Sequence, residues 1–157
     1  MSGVVIYMNL AKEFHKLIVE HIAESIGLGA DEYGVINGDT TTSKKETLKK
    51  KFLLGEVKLL IGSSTIREGI DLQKKATTLF SLTLPWNPTD QKQLEGRIYR
   101  QGNQFSHVRI VNPLIENSVD VFMFQKLDEK TSRINSIWYN AGRQNVLDLS
   151  WIFSLLG

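Results

Sequence analysis

The 157-residue chain contains no cysteine. That excludes a disulfide framework, the usual thiolate zinc sites and a thiol nucleophile. Its histidines, His15, His21 and His107, are scattered, so no metal site is expected. No apolar run approaches the roughly 20 residues that span a bilayer, and no membrane partner is expected. No charged-then-apolar leader precedes the apolar run at Val4, which makes the cytosol the expected compartment. A net charge of +2 is too small to indicate a nucleic-acid ligand by itself. The chain has no G-x-x-x-x-G-K-S/T loop to cradle phosphates and no G-x-G-x-x-G turn after a strand. Asp31-Glu32 comes before a strand pattern and Asp128-Glu129 lies inside a helical one. Neither takes the strand-end place of a magnesium-holding acidic pair.

What is present is ordinary globular material, 41% hydrophobic and 23% charged, read as one domain over residues 1–157. Val4 to Met8 is a β-branched run suited to a buried parallel strand. Leu10, Phe14, Leu17, Ile18, His21, Ile22 and Ile26 recur at helical spacing until Gly27 to Gly29, which places His21 in the core. Tyr33 to Asn37 predicts a second strand, broken by Gly38-Asp39. Ser43 with Glu46 reads as a capping box opening a helix to about Phe52. Its lysines, Lys44, Lys45, Lys49, Lys50 and Lys51, form a solvated face or the flank of a phosphate path.

Val57 to Ile61 is a third strand, followed directly by Gly62-Ser63-Ser64-Thr65. Hydroxyls and unpaired amides past a strand's carboxyl end suit phosphate, and they equally suit a helix cap. Glu68-Gly69-Ile70-Asp71-Leu72 turns the chain back. Thr78 to Leu84 and His107 to Asn112 supply strands four and five. Asn117 or Ser118 caps a last major helix with Val119, Met123 and Leu127 on its buried side. From Ile134 onward the pattern stays helical, with Trp138 and Trp151 among apolar neighbours. Strands alternating with helices predict a three-layer α/β domain around a mainly parallel sheet. Ligands of such sheets bind outside the carboxyl ends of the strands.

One stretch, Trp86 to Gln104, stands out. Asn87 before Pro88 is a helix start and Gly102 a stop. At about 100° per residue, Gln93, Arg97, Arg100 and Gln104 share one stripe, with Leu94 and Ile98 on an apolar one beside it. Gly96 weakens the helix by roughly 1 kcal/mol against alanine, which suggests close approach by another group. The expected picture is two exposed arginines at the carboxyl rim of the sheet without carboxylate partners, meeting the hydroxylic loop after the third strand.

Gln93 to Arg100 (QLEGRIYR) fits the motif VI pattern Q-x-x-G-R-x-x-R, and Gly62 to Leu72 (GSSTIREGIDL) looks like motif V of superfamily 2 helicases. Val4 to Met8 with the following helix resembles motif IV. The order is similar to the second, C-terminal RecA-like domain of these helicases and translocases over nearly the whole chain. Trp86-Asn87-Pro88 is most similar to the Swi/Snf-type branch and to helicase-like segments of phage and plasmid proteins. The resemblance implies a three-layer αβα RecA-like fold. It implies arginine fingers at Arg97 and Arg100, reaching ATP and Mg2+ held by an absent N-terminal RecA-like lobe. Gln93, Gly69 and Asp71 would face the nucleotide. Gly38, Thr40, Ser63 and Ser64 would contact the backbone of nucleic acid, taken to be DNA. Such a chain binds no nucleotide tightly and hydrolyses no ATP alone. A bacterial, phage or mobile-element origin accords with the branch. A stand-alone nucleic-acid- or protein-binding module with this fold is the alternative. A small enzyme with its own active site lacks any catalytic constellation.

Overall fold

The computed structural model describes residues 3–69 and 71–143, with the main chain alone at 67–69 and 138–143. The expected helical pattern around Trp151 and the surroundings of Trp138 lie outside the described residues. The sheet has five strands: β1 (Val4–Tyr7), β2 (Tyr33–Ile36), β3 (Leu59–Gly62), β4 (Thr78–Ser81) and β5 (Arg109–Val111). Their order is β2-β3-β1-β4-β5 and every pairing is parallel. The expected α/β architecture is therefore present, with every expected strand found. The ends are shorter than the apolar runs, because β4 and β5 stop before Leu84 and Asn112.

α1 (His15–Ser25) covers one face of the sheet, with Val19, Ile18 and Ile22 against Val4, Ile6, Leu59 and Ile61. α2 (Thr42–Leu54), α3 (Ser64–Gly69) and α4 (Pro88–Gly96) cover the other. There Phe52, Ile66, Leu94 and Ile98 meet Val5, Tyr7, Leu60 and Leu79. α5 (Val119–Arg143) contacts α4. The buried residues of α1 are His15, Val19 and Ala23, whereas His21, Leu10, Phe14 and Leu17 are exposed. The expected core place of His21 thus belongs to His15. A 3-10 turn at Lys12–Phe14 precedes α1 and rotates its inward face away from that of one continuous helix.

Local starts and stops also differ from expectation. Thr41, rather than Ser43, caps α2 by accepting from the Lys44 amide at 3.4 Å. α2 ends at Gly55 in a left-handed conformation. Of the two candidate caps for α5, Ser118 is the one whose hydroxyl accepts from Asp120 at 3.1 Å. Asn117 has a positive φ and lies outside the helix. Val119 is exposed while Leu127 is buried, so the inward stripe of α5 starts a turn later than predicted.

Candidate functional site

Because every strand runs the same way, the loops after β1, β3 and β4 leave from one edge. β3 can turn into α3 there only through glycine. A Cβ on Gly62 would stand 2.2 Å from the Ile36 carbonyl oxygen and 2.6 Å from Ile66. Asn9, just past β1, ties the edge together: its carboxamide accepts from the Ser64 amide at 3.2 Å, and its own amide donates to Thr83 Oγ1 at 2.8 Å. Nothing in the local sequence singled out Asn9. Its role follows from the crossover that brings β1 between β3 and β4.

The four residues expected to face a polymer backbone fall into two loops of this edge. Ser63 is buried and its hydroxyl has no partner, while Ser64 is partly exposed. Of the pair, only Ser64 presents its side chain outward. Thr40 Oγ1 accepts from the Asn37 amide at 3.1 Å, and Asn37 Oδ1 accepts from the Asp39 amide at 3.1 Å. These bonds hold Gly38 in an exposed turn, where a Cβ would lie 3.9 Å from the Lys12 ammonium nitrogen. Lys12 is the cation nearest that turn by this measure, and it was not among the expected site residues.

The arginines occupy a different place from the one predicted. Asn87 caps α4, accepting from the Asp90 amide at 2.8 Å, and Pro88 takes the first turn as expected. The helix stops at Gly96, however, and Arg97 to Gly102 continue as turns. No neighbour lies within 4 Å of a Cβ at Gly96, so nothing in this chain explains the glycine by close approach. A helix joining parallel strands must run back from the carboxyl edge to the amino edge. Nine residues of α4 carry the chain about 13 Å from that edge at 1.5 Å per residue. Asn103 then donates to the Ala76 carbonyl at 3.1 Å, just before β4 begins. Arg97 and Arg100 therefore sit beyond the far ends of α3 and α4. The hydroxylic turn and the arginines do not converge on one spot.

Nor are the guanidiniums without a carboxylate. Arg97 Nη1 lies 3.3 Å and Arg100 Nη1 3.7 Å from the same oxygen, Asp71 Oδ1. Side-chain exposure is 28% for Arg97, 61% for Arg100 and 50% for Asp71, so this is a hydrated cluster and not a buried ion pair. The two guanidiniums thus share one carboxylate oxygen. Gln93 is exposed on α4 and Gly69 closes α3, bordering the same face. Leu94 and Ile98, the neighbouring stripe, are fully buried and anchor the segment.

A five-stranded parallel sheet of this order, covered by helices on both faces and without a phosphate loop in the chain, is a RecA-like lobe. Residues 2–102 match the helicase conserved C-terminal domain, and the chain belongs to that family. Among its relatives is the SWI/SNF-related matrix-associated actin-dependent regulator of chromatin subfamily A-like protein 1 of Xenopus tropicalis. It is 29% identical over 118 residues, covering 74% of this chain and 12% of the relative. The Defense against restriction protein B of Escherichia phage P1 is 27% identical over 107 residues, 68% of this chain and 5% of that protein. The chain thus spans a small fraction of the length of these relatives. The crystal structure of the C-terminal part of the Fun30 ATPase domain superposes with a TM-score of 0.65 over 80% of this chain and 39% of that one. At 21% identity it supports the fold alone. The anticipated Swi/Snf-type and phage branch agrees with these relatives. No helix among the described residues is long and apolar enough to cross a membrane.

Proposed function

We propose that the chain is the C-terminal motor lobe of a DNA-dependent ATPase, a helicase or translocase, working with an N-terminal lobe that holds ATP and Mg2+. The donor set fits one part of that assignment and not the other. In this reading Mg2+ is held by the other lobe, and this chain contributes no metal ligand. Two guanidiniums around a half-exposed carboxylate fit a phosphate group, and this cluster is the observation that carries the reading. Arg97 and Arg100 act as arginine fingers, stabilising charge on the transferred phosphoryl. Asp71 holds both in place until that phosphate arrives. Gln93 and Gly69 border the nucleotide, and Gly38, Thr40, Ser63 and Ser64 border the nucleic-acid backbone.

The test is Arg100→Lys in a protein that joins this lobe to its ATP-binding lobe. A lysine keeps the charge and loses the planar fork. ATP turnover should fall by about 10³ or more, with nucleotide affinity changed by less than about threefold. Turnover within about tenfold of the parent would remove Arg100 from the catalytic role.

A further inference from the structure

β2 forms one edge of the sheet, and its outer side opens on a groove of about 650 Å³. α1 supplies one wall through Lys16 and Val19, and α2 the other through Lys44, Leu48 and Lys51. Tyr33, Val35 and Val57 give it an apolar lining. The Glu32 and Ile36 carbonyls accept from β3 and the residue before and after it. By the alternation of a parallel ladder, the main-chain groups of Tyr33 and Val35 then face the groove. The Val35 carbonyl is taken by the Thr40 hydroxyl at 3.3 Å. Apart from its shortness and the Thr40 turn over Val35, this edge is unguarded, since Tyr33-Gly34-Val35-Ile36 has no charge and no proline.

The charges have a direction. Lys12, Lys16 and Lys44 line the end of the groove where β2 finishes and α2 begins, and the first turn of α2 adds partial positive charge. Asp39 is the carboxylate lining that end, and Glu20 lies 3.8 Å from Lys16. Asp31 and, from the last turn of α2, Lys51 line the opposite end.

We propose that this groove receives an extended acidic peptide segment of a partner protein. The segment adds to the sheet beside β2 with its carboxylates toward Lys12 and Lys44. Two features favour a peptide over a nucleic acid. The outward amides of Tyr33 and Val35 ask for a backbone that alternates donors and acceptors. The apolar lining asks for side chains at a period of two. A polynucleotide strand supplies neither. One end of the groove holds Thr40 and Lys12, which the motor reading turns toward the nucleic-acid backbone, so the two ligands would share that end.

The test uses the 157-residue chain and a fluorescent, end-capped peptide of alternating valine and glutamate, followed by anisotropy. Two N-methylated versions each block the amides along one edge of the extended peptide. Saturable binding is expected, weakened about tenfold or more by one methyl set and little by the other. Lys12→Glu with Lys44→Glu should weaken it by a similar factor. The absence of saturation at about 1 mM peptide, or equal tolerance of both methyl sets, overturns strand addition. Displacement of the peptide by duplex DNA, with both methylated peptides binding as well as the parent, would assign the groove to nucleic acid and overturn the proposal.

Discussion

An exposed guanidinium is well solvated, whereas a buried imidazole must find its partners inside the protein. His15 is buried, with Nε2 placed 2.9 Å from the Met8 carbonyl oxygen to donate to it, and Nδ1 without a partner. Burial lowers its pKa, and the Lys12 charge works in the same direction. The Met8 carbonyl, the largest influence after burial, and Glu13 pull the other way. Folding therefore favours the neutral ring. Below the ordinary value of about 6.5 the unfolded chain binds a proton that the folded chain does not, so stability rises with pH through that window. The melting temperature should fall as pH drops from about 7 to about 5. His15→Gln, which keeps a donor for Met8, should flatten that slope. Circular-dichroism melts across the range check this, and identical slopes for the two proteins would refute it.

The two faces of the α4 segment should separate cleanly by mutation. Leu94 and Ile98 are fully buried, so Ile98→Ala should cost about 2–5 kcal/mol in urea unfolding. Arg100→Ala breaks a hydrated ion pair with Asp71 and should cost less than about 1 kcal/mol. A large loss at Arg100 would make it structural. The sequence made this contrast legible in part. The stripe of Leu94 and Ile98 is period-driven, and Asn87-Pro88 announces the helix start through local chemistry, so both were found. The helix end was misplaced because Arg97 to Gln101 have no breaker among them. The chain leaves the helix at Gly96, and the turns beyond it are tied down by Asn103 and Gln104 on the Ala76 and Lys74 carbonyls, bonds invisible to a local pattern. Asp71 escaped as a partner for the same reason: it reaches the arginines across 26 residues of intervening fold. His21 and His15 exchanged places through a one-turn change of helix type.

At the level of the molecule, the fold was readable because alternating short apolar strands and helices admit few architectures. The placement of the site was not. Which helix end meets which loop depends on antiparallel return paths that spacing alone does not encode. As a lobe without a phosphate loop, the isolated chain should bind DNA weakly, without sequence preference and with steep salt dependence. Ser64, the Gly38 turn and Lys12 offer backbone contacts and no base-reading element. Anisotropy at several salt concentrations would show the slope. Tight, salt-insensitive binding to one sequence would instead favour a dedicated binding module.

The central position of β1 also bears on how the protein is made. Val4 is made before either of its partners, Leu59 on one side and Thr78 on the other. At about 5–20 residues per second the ribosome keeps that strand waiting roughly 4–15 s for both neighbours. Val4-Val5-Ile6-Tyr7, buried on completion, spends that interval with its backbone and side chains unsheltered. Refolding from denaturant must likewise close two long loops before the sheet's middle exists, which favours slow folding over microsecond collapse. This lobe is thus most vulnerable to aggregation before β4 has left the ribosome.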